Sequence, residues 1–119
     1  MSSVLIVDDS RTMRKMLAGA LTEAGIDVAG NAGNGLEALE FLKTTKPDLI
    51  TLDITMPEMD GLEALRLIKK NDPDQKVLMV SAAGQKEKVL EALKLGALDF
   101  IQKPFEPEIV IKTIQKALA

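Results

Sequence analysis

Leu49-Ile50-Thr51-Leu52-Asp53-Ile54-Thr55-Met56-Pro57-Glu58-Met59-Asp60-Gly61 is the stretch that decides how this chain folds. Its first four residues are apolar apart from Thr51, and they run into a carboxylate and then a turn. A short aliphatic run with no polar alternation reads as a strand covered on both faces, which places it at the centre of a sheet. Such a strand delivers its polar end to one edge of the sheet. Two other stretches end in the same way. Val4-Leu5-Ile6-Val7 runs into Asp8-Asp9, and Val77-Leu78-Met79-Val80 runs into Ser81.

Outward from this strand, β-rich runs alternate with longer segments of helical period. The runs begin near Val4, Val28, Leu49, Val77 and Phe100, which leaves room each time for a strand, a crossover helix and two loops. The spacing predicts one α/β domain over 1–119, with a parallel sheet and helices on both faces. The predicted strands are Val4–Val7, Asp27–Ala32, Leu49–Leu52, Lys76–Val80 and Asp99–Gln102. The second, polar and glycine-containing, belongs at an edge. Met13, Met16, Leu17, Ala20, Leu21 and Ala24 mark the apolar stripe of the first helix, with Ser10 or Asp9 as its cap and Gly25 at its end. Leu36, Ala38, Leu39 and Leu42 are the expected inward positions of the second helix, and Leu62, Leu65 and Ile68 those of the third. Val89, Ala92 and Leu93 serve the fourth. The last helix starts near Pro107 and carries Val110, Ile114 and Ala117.

Composition removes most competing chemistries. The 119 residues include no cysteine and no histidine. A disulfide, a thiolate or histidine metal site and a Ser-His triad are thereby excluded. The formal net charge is -3 with both signs dispersed, unlike the basic stripe of a nucleic-acid binder. No apolar run approaches the ~20 residues that span a bilayer, and the start lacks the pattern of a secretory signal. The expectation is a cytoplasmic monomer with no direct contact to nucleic acid or membrane. Gly30-Asn31-Ala32-Gly33-Asn34-Gly35 has the spacing G-x-x-G-x-G and follows the second strand, so it reads as a turn and not as a dinucleotide fingerprint.

In a doubly wound sheet, ligands bind beyond the carboxyl ends of the strands. The residues there are Asp8, Asp9, Asp53, Ser81 and Lys103. Three neighbouring carboxylates repel one another and call for a cation. With only oxygen ligands available that cation is a hard one such as Mg²⁺, which takes a few carboxylates, waters and phosphate oxygens. Lys103 offers a compact positive charge and Ser81 a hydroxyl donor. A carboxylate is also a competent nucleophile in phosphoryl transfer. Read singly, Asp8-Asp9 could equally be a helix cap, and the bland alternatives for the others are a cap at Ser81, a solvated lysine at Lys103 and a packed aromatic at Phe100. Met56 and Met59 read as members of a mobile or partner-facing loop.

Val7-Asp8-Asp9, the run Leu52 to Gly61, Ser81-Ala82 and Lys103-Pro104-Phe105 together resemble the receiver domain of bacterial and archaeal response regulators. The resemblance spans essentially the whole chain and is closest to single-domain chemotaxis regulators. It implies a doubly wound, five-stranded parallel sheet of order 2-1-3-4-5 with five helices. It implies Asp53 as phosphoacceptor, with Ser81 and Lys103 assisting. Mg²⁺ would be held by Asp8, Asp9, Asp53 and the backbone carbonyl of Thr55, and Ser81 and Phe100 would act as switch residues. The Lys103–Pro104 bond is expected to be cis.

The implied function is a phosphorylation-dependent switch of a two-component system, not an enzyme in the ordinary sense. Its partners would be a CheA-like histidine kinase, a flagellar switch component or other protein target, and a phosphatase. The readout face would be the fourth helix, fifth strand and fifth helix, with Gly84, Lys88, Lys94, Gln102, Lys112 and Lys116 exposed. With nothing following Ala119, the output is expected to be binding, in control of flagellar rotation. The alternatives are the receiver part of a larger regulator with a DNA-binding or methylesterase output, and a Mg²⁺-dependent phosphatase with an Asp nucleophile. The second would need another Asp two residues past Asp53, where Thr55 stands. A scaffold that has lost phosphorylation is a third reading, and the intact acidic set argues against it. Thr55 and Ala83, both beside the path of a hydrolytic water, differ from well-known members and bear on the lifetime of the phosphorylated state.

Overall fold

A computed structural model describes residues 2–119. Five strands, β1 (Ser3–Val7), β2 (Asp27–Ala32), β3 (Leu49–Asp53), β4 (Lys76–Ser81) and β5 (Asp99–Gln102), alternate with five helices. The helices are α1 (Arg11–Glu23), α2 (Gly35–Leu42), α3 (Gly61–Asn71), α4 (Lys86–Lys94) and α5 (Pro107–Leu118). The strands form one parallel sheet in the order β2-β1-β3-β4-β5. β3 is central and buried along its whole length, while β2 lies at an edge and is only partly covered.

Side chains alternate across a strand, so each strand feeds two cores. Leu5, Val7, Ile50, Leu52, Val77 and Met79 pack with Ala38, Leu65, Ile68 and Val89 on the side of α2, α3 and α4. Val4, Ile6, Leu49, Leu78 and Ile101 pack with Leu17, Leu21, Val110 and Ile114 on the side of α1 and α5. β2 carries a register shift where Val4 pairs with Val28 but Leu5 with Gly30. A Cβ at Gly30 would lie 2.6 Å from the Phe41 ring, so a larger residue there would have to push that ring aside. No helix among the described residues is long and apolar enough to cross a membrane.

Two sequence expectations need correction, and one alternative reading is set aside. Met16 and Leu36 are not inward, being 38% and 50% exposed. The inward face of α2 is Gly35, Ala38, Leu39 and Leu42, an i, i+3, i+4, i+7 series that passes Leu36 by. Met16 likewise lies beside the Met13-Leu17-Leu21 stripe and not on it. Met56 is not on an exposed loop. It is buried in the core with Ile54, and Met59 packs against the same cluster, because the loop after β3 folds back onto the sheet. Ser81 does not cap a helix: it ends β4, and α4 begins only at Lys86.

Helix starts follow side-chain chemistry. The hydroxyl of Ser10, the carbonyl of Asn34 and the carboxylate of Asp60 accept from the backbone N–H groups of Met13, Glu37 and Glu63. Among the described residues, one interior polar group is left over. Thr51 Oγ1 is buried without a partner, on the same face as Leu49 and between Ile6 and Leu78 of the flanking strands. Thr51→Val keeps the shape and removes the unpaired hydroxyl. It should raise stability by about 1 kcal/mol, seen as a higher urea midpoint at unchanged slope.

Candidate functional site

The carboxyl ends of β1, β3, β4 and β5 converge. Asp8 directly follows β1 and Asp53 is the last residue of β3; they are 1% and 6% exposed. Asp9 is exposed beside them. One carboxylate oxygen from each of the three lies within 4.8 Å of the other two. Lys103, just past β5, sends its Nζ between them, donating to Asp8 Oδ2 at 2.9 Å and to Asp53 Oδ2 at 3.3 Å. The backbone N–H of Lys103 donates to the carbonyl of Ser81 at 2.7 Å, which ties the ends of β4 and β5 together. The Lys103–Pro104 bond is cis.

Asp8 serves two purposes with different oxygens. Its Oδ1 accepts from the N–H of Ser10 at 2.8 Å, steadying the entry to α1, while Oδ2 accepts from Lys103. Its carbonyl accepts from Arg14 Nη1 at 2.6 Å, and Arg14 Nε donates to Asn31 Oδ1 at 3.1 Å. Arg14 therefore pins the loop carrying both N-terminal carboxylates against β2. At the far side of Asp53, a glycine lets α3 start in contact with the strand end. Gly61 donates its N–H to the carbonyl of Ile54 at 2.7 Å. A Cβ at Gly61 would overlap the Asp53 carbonyl oxygen and stand 2.8 Å from Ile54 Cα.

Electrostatics follow from burial. Desolvation, and then the neighbouring Asp8 charge, push the Asp53 carboxyl up to about 6, against the opposing pull of Lys103. Burial alone would lower Lys103, but its bonds to Asp8 and the charges of both carboxylates outweigh it and hold the ammonium above its usual range. One lysine against three carboxylates leaves the cluster two negative charges in excess when all are ionised. The donor set is all oxygen. Both properties suit a hard divalent cation.

The other predicted positions fall around this centre. Ser81, nearly buried, ends β4 next to Asp53 on β3, where Asp53 pairs with Val80. Thr55 lies in the loop two residues past Asp53, its hydroxyl engaged by Gln85. Phe100, on β5, is 41% exposed and lines a cavity of about 320 Å³ with Ser81, Leu90 and Leu93. Gly84, Lys88, Lys94, Gln102, Lys112 and Lys116 are all exposed.

Sequence reasoning missed Arg14, Gln85 and the steric demand at Gly61. It also missed Glu58, which turns the loop after β3 with a φ of 67°. An Arg one turn into a helix after Asp-Asp offers a weak signal for the first. Nothing in the sequence announces the second.

The chain matches the family model for the response regulator receiver domain over residues 4–115. It is 53% identical to the chemotaxis protein CheY of Thermotoga maritima, with 95% of this chain and 94% of that protein covered. It is also 51% identical to part of a protein-glutamate methylesterase/protein-glutamine glutaminase of Archaeoglobus fulgidus, where 85% of this chain covers 29% of the longer protein. Among solved structures, it superimposes with a TM-score of 0.94 at 37% identity on a chain of the CheX–CheY–BeF3–Mg+2 complex from Borrelia burgdorferi. That match covers 99% of this chain and 90% of the other.

Proposed function

The chain belongs to the response regulator receiver domain family, and from that membership we propose that it is a single-domain phosphorylation switch of a two-component system, acting in chemotaxis. The observation that carries the reading is the Lys103 ammonium set between the carboxylates of Asp8 and Asp53 at the mouth of the sheet. Asp53 is the acceptor. An oxygen of its ionised carboxylate attacks the phosphorus of a phosphohistidine or acyl phosphate, forming a P–O bond. The bond from phosphorus to the donor breaks, and the donor leaves with the electron pair. Lys103 neutralises part of the negative charge that the group brings, and Ser81 donates its hydroxyl to a phosphoryl oxygen.

Asp8, Asp9 and Asp53, with the backbone carbonyl of Thr55, are the residues that would hold Mg²⁺. When bound, the ion supplies positive charge against the phosphoryl oxygens. Drawing Ser81 inward moves the loop after β4 and frees the cavity beside it for the Phe100 ring. The face of α4, β5 and α5 then changes its preference among protein partners. These are a histidine kinase, a flagellar switch component and a dephosphorylating protein; CheX sits with a CheY in the Borrelia complex that this fold matches.

The test is a titration with beryllofluoride and Mg²⁺, followed by amide NMR shifts because the chain has no Trp or Tyr. Saturable binding that needs both components is expected. Asp8→Ala or Asp9→Ala should weaken it at least tenfold. A flat titration of the wild type would sink the proposal. The match to part of the Archaeoglobus methylesterase favours a second reading, in which the same switch governs an attached output domain. The full reading frame at the locus decides between them.

A further inference from the structure

Gln85 precedes the first turn of α4, yet its side chain makes no capping bond to that helix. It turns back toward the site. Its Oε1 accepts from the backbone N–H of Ala82 at 2.6 Å, and its Nε2 donates to Thr55 Oγ1 at 2.6 Å. The two ends of the amide are fixed by chemistry: a backbone N–H can only donate, so the oxygen faces Ala82 and the NH₂ faces Thr55. Ala82 is bonded directly to Ser81, and Thr55 lies two residues past Asp53. One side chain thus spans the gap between the loops that leave β3 and β4.

These loops have little else in common. Among the described residues, the Gln85–Thr55 contact is the one hydrogen bond between residues 54–60 and 82–85. Ala82, Ala83 and Gly84 are exposed, and Gly84 takes a φ of 83°, so the short loop has few other restraints. Ser81 itself is held in β4 by its pairing with β5, but the loop that leaves it at Ala82 takes its position largely from Gln85. The same residue lines the cavity that Phe100 borders.

Building on phosphoryl acceptance at Asp53, we propose that Gln85 is a positioning residue that latches the loop following Ser81 in its unmodified place. Moving Ser81 toward an anion on Asp53 displaces the adjoining Ala82 and breaks the bonds of Gln85 to Ala82 and Thr55. The latch stabilises only the unmodified state, so it opposes anion capture by its own free energy. Two hydrogen bonds on a partly exposed loop correspond to a three- to tenfold effect on affinity, about what one net bond contributes.

The experiment is the beryllofluoride titration in saturating Mg²⁺ on wild type, Gln85→Met, Thr55→Val and the double variant. Gln85→Met keeps length and packing but removes the amide. Each single variant should bind beryllofluoride about three- to tenfold more tightly. The double variant should be no tighter than Gln85→Met, because both changes break the same bridge. The Ala82 amide proton should exchange faster with solvent in Gln85→Met. A merely structural role would lower thermal stability without tightening anion binding. Unchanged or weaker binding by Gln85→Met, or additive effects in the double variant, would overturn the latch. No saturable binding in the wild type would overturn the acceptor reading itself, and the latch with it.

Discussion

Asp53→Asn will take no phosphoryl group and bind no beryllofluoride, and at pH 7.5 without metal it will resist urea better than the wild type. The two halves of this result have one cause. The Asp53 carboxyl titrates near 6 in the fold, against 3.8 for the free side chain. Folding therefore favours the protonated form. The stability that comes from this preference is fully present below about pH 3.8, and it is lost as pH rises through about 6. Above that, the ionised carboxylate weighs on the fold by about 2–3 kcal/mol, taking 1.36 kcal/mol per pH unit. Asparagine has the same shape and no charge. Its gain should be about 2 kcal/mol at pH 7.5 in EDTA and should shrink toward zero near pH 4. Urea unfolding at several pH values measures this directly. A variant no more stable than wild type at pH 7.5 would mean that Lys103 compensates the buried charge in full. On the proposed role of Asp53, the reactive form is also the destabilised form, a trade of stability against activity common at working sites.

Gly61→Ala should be the most damaging small substitution in the chain. Gly61 is needed for space and not for an unusual backbone angle. Its added Cβ would overlap the Asp53 carbonyl oxygen and press on Ile54. All of these are backbone atoms in or next to the central strand, which cannot swing aside as a flexible side chain could. Relief requires α3 to withdraw from the end of β3, lengthening the Gly61–Ile54 bond and disturbing the Asp60 cap. The expected loss is about 3 kcal/mol or more, with weaker beryllofluoride binding because Asp53 moves with the strand. Denaturant unfolding of the variant provides the check. A loss below about 1 kcal/mol would show that the strand–helix junction yields more easily than its contacts imply.

The fold was largely legible because the apolar runs carry two kinds of information at once. Val4–Val7 and Leu49–Leu52 declare buried strands, and the carboxylates at their ends are placed by the same pattern. Ser81 follows by the same logic. Lys103 is less visible, since a lone lysine before proline signals little. It gained meaning only beside the acidic set. What the sequence concealed depends on segments meeting in space. Leu36 looks inward because the apolar residues of α2 are dense enough to admit more than one stripe, whereas the real stripe is fixed by which neighbour α2 packs against. The burial of Met56 depends on a loop folding back through Glu58 in a left-handed conformation. The Gln85 bridge joins residues 30 positions apart through two loops with no periodicity at all.

The Lys103 contacts also say when the site comes into being. The ammonium reaches carboxylates 95 and 50 positions earlier in the chain, and its own N–H closes onto the end of β4. A growing polypeptide holding only the first four strands would have the acidic cluster without its fixed cation. The proposed acceptor site is completed by the last strand of the sheet to be made, so competence to receive a signal would double as a mark that synthesis and folding have reached β5.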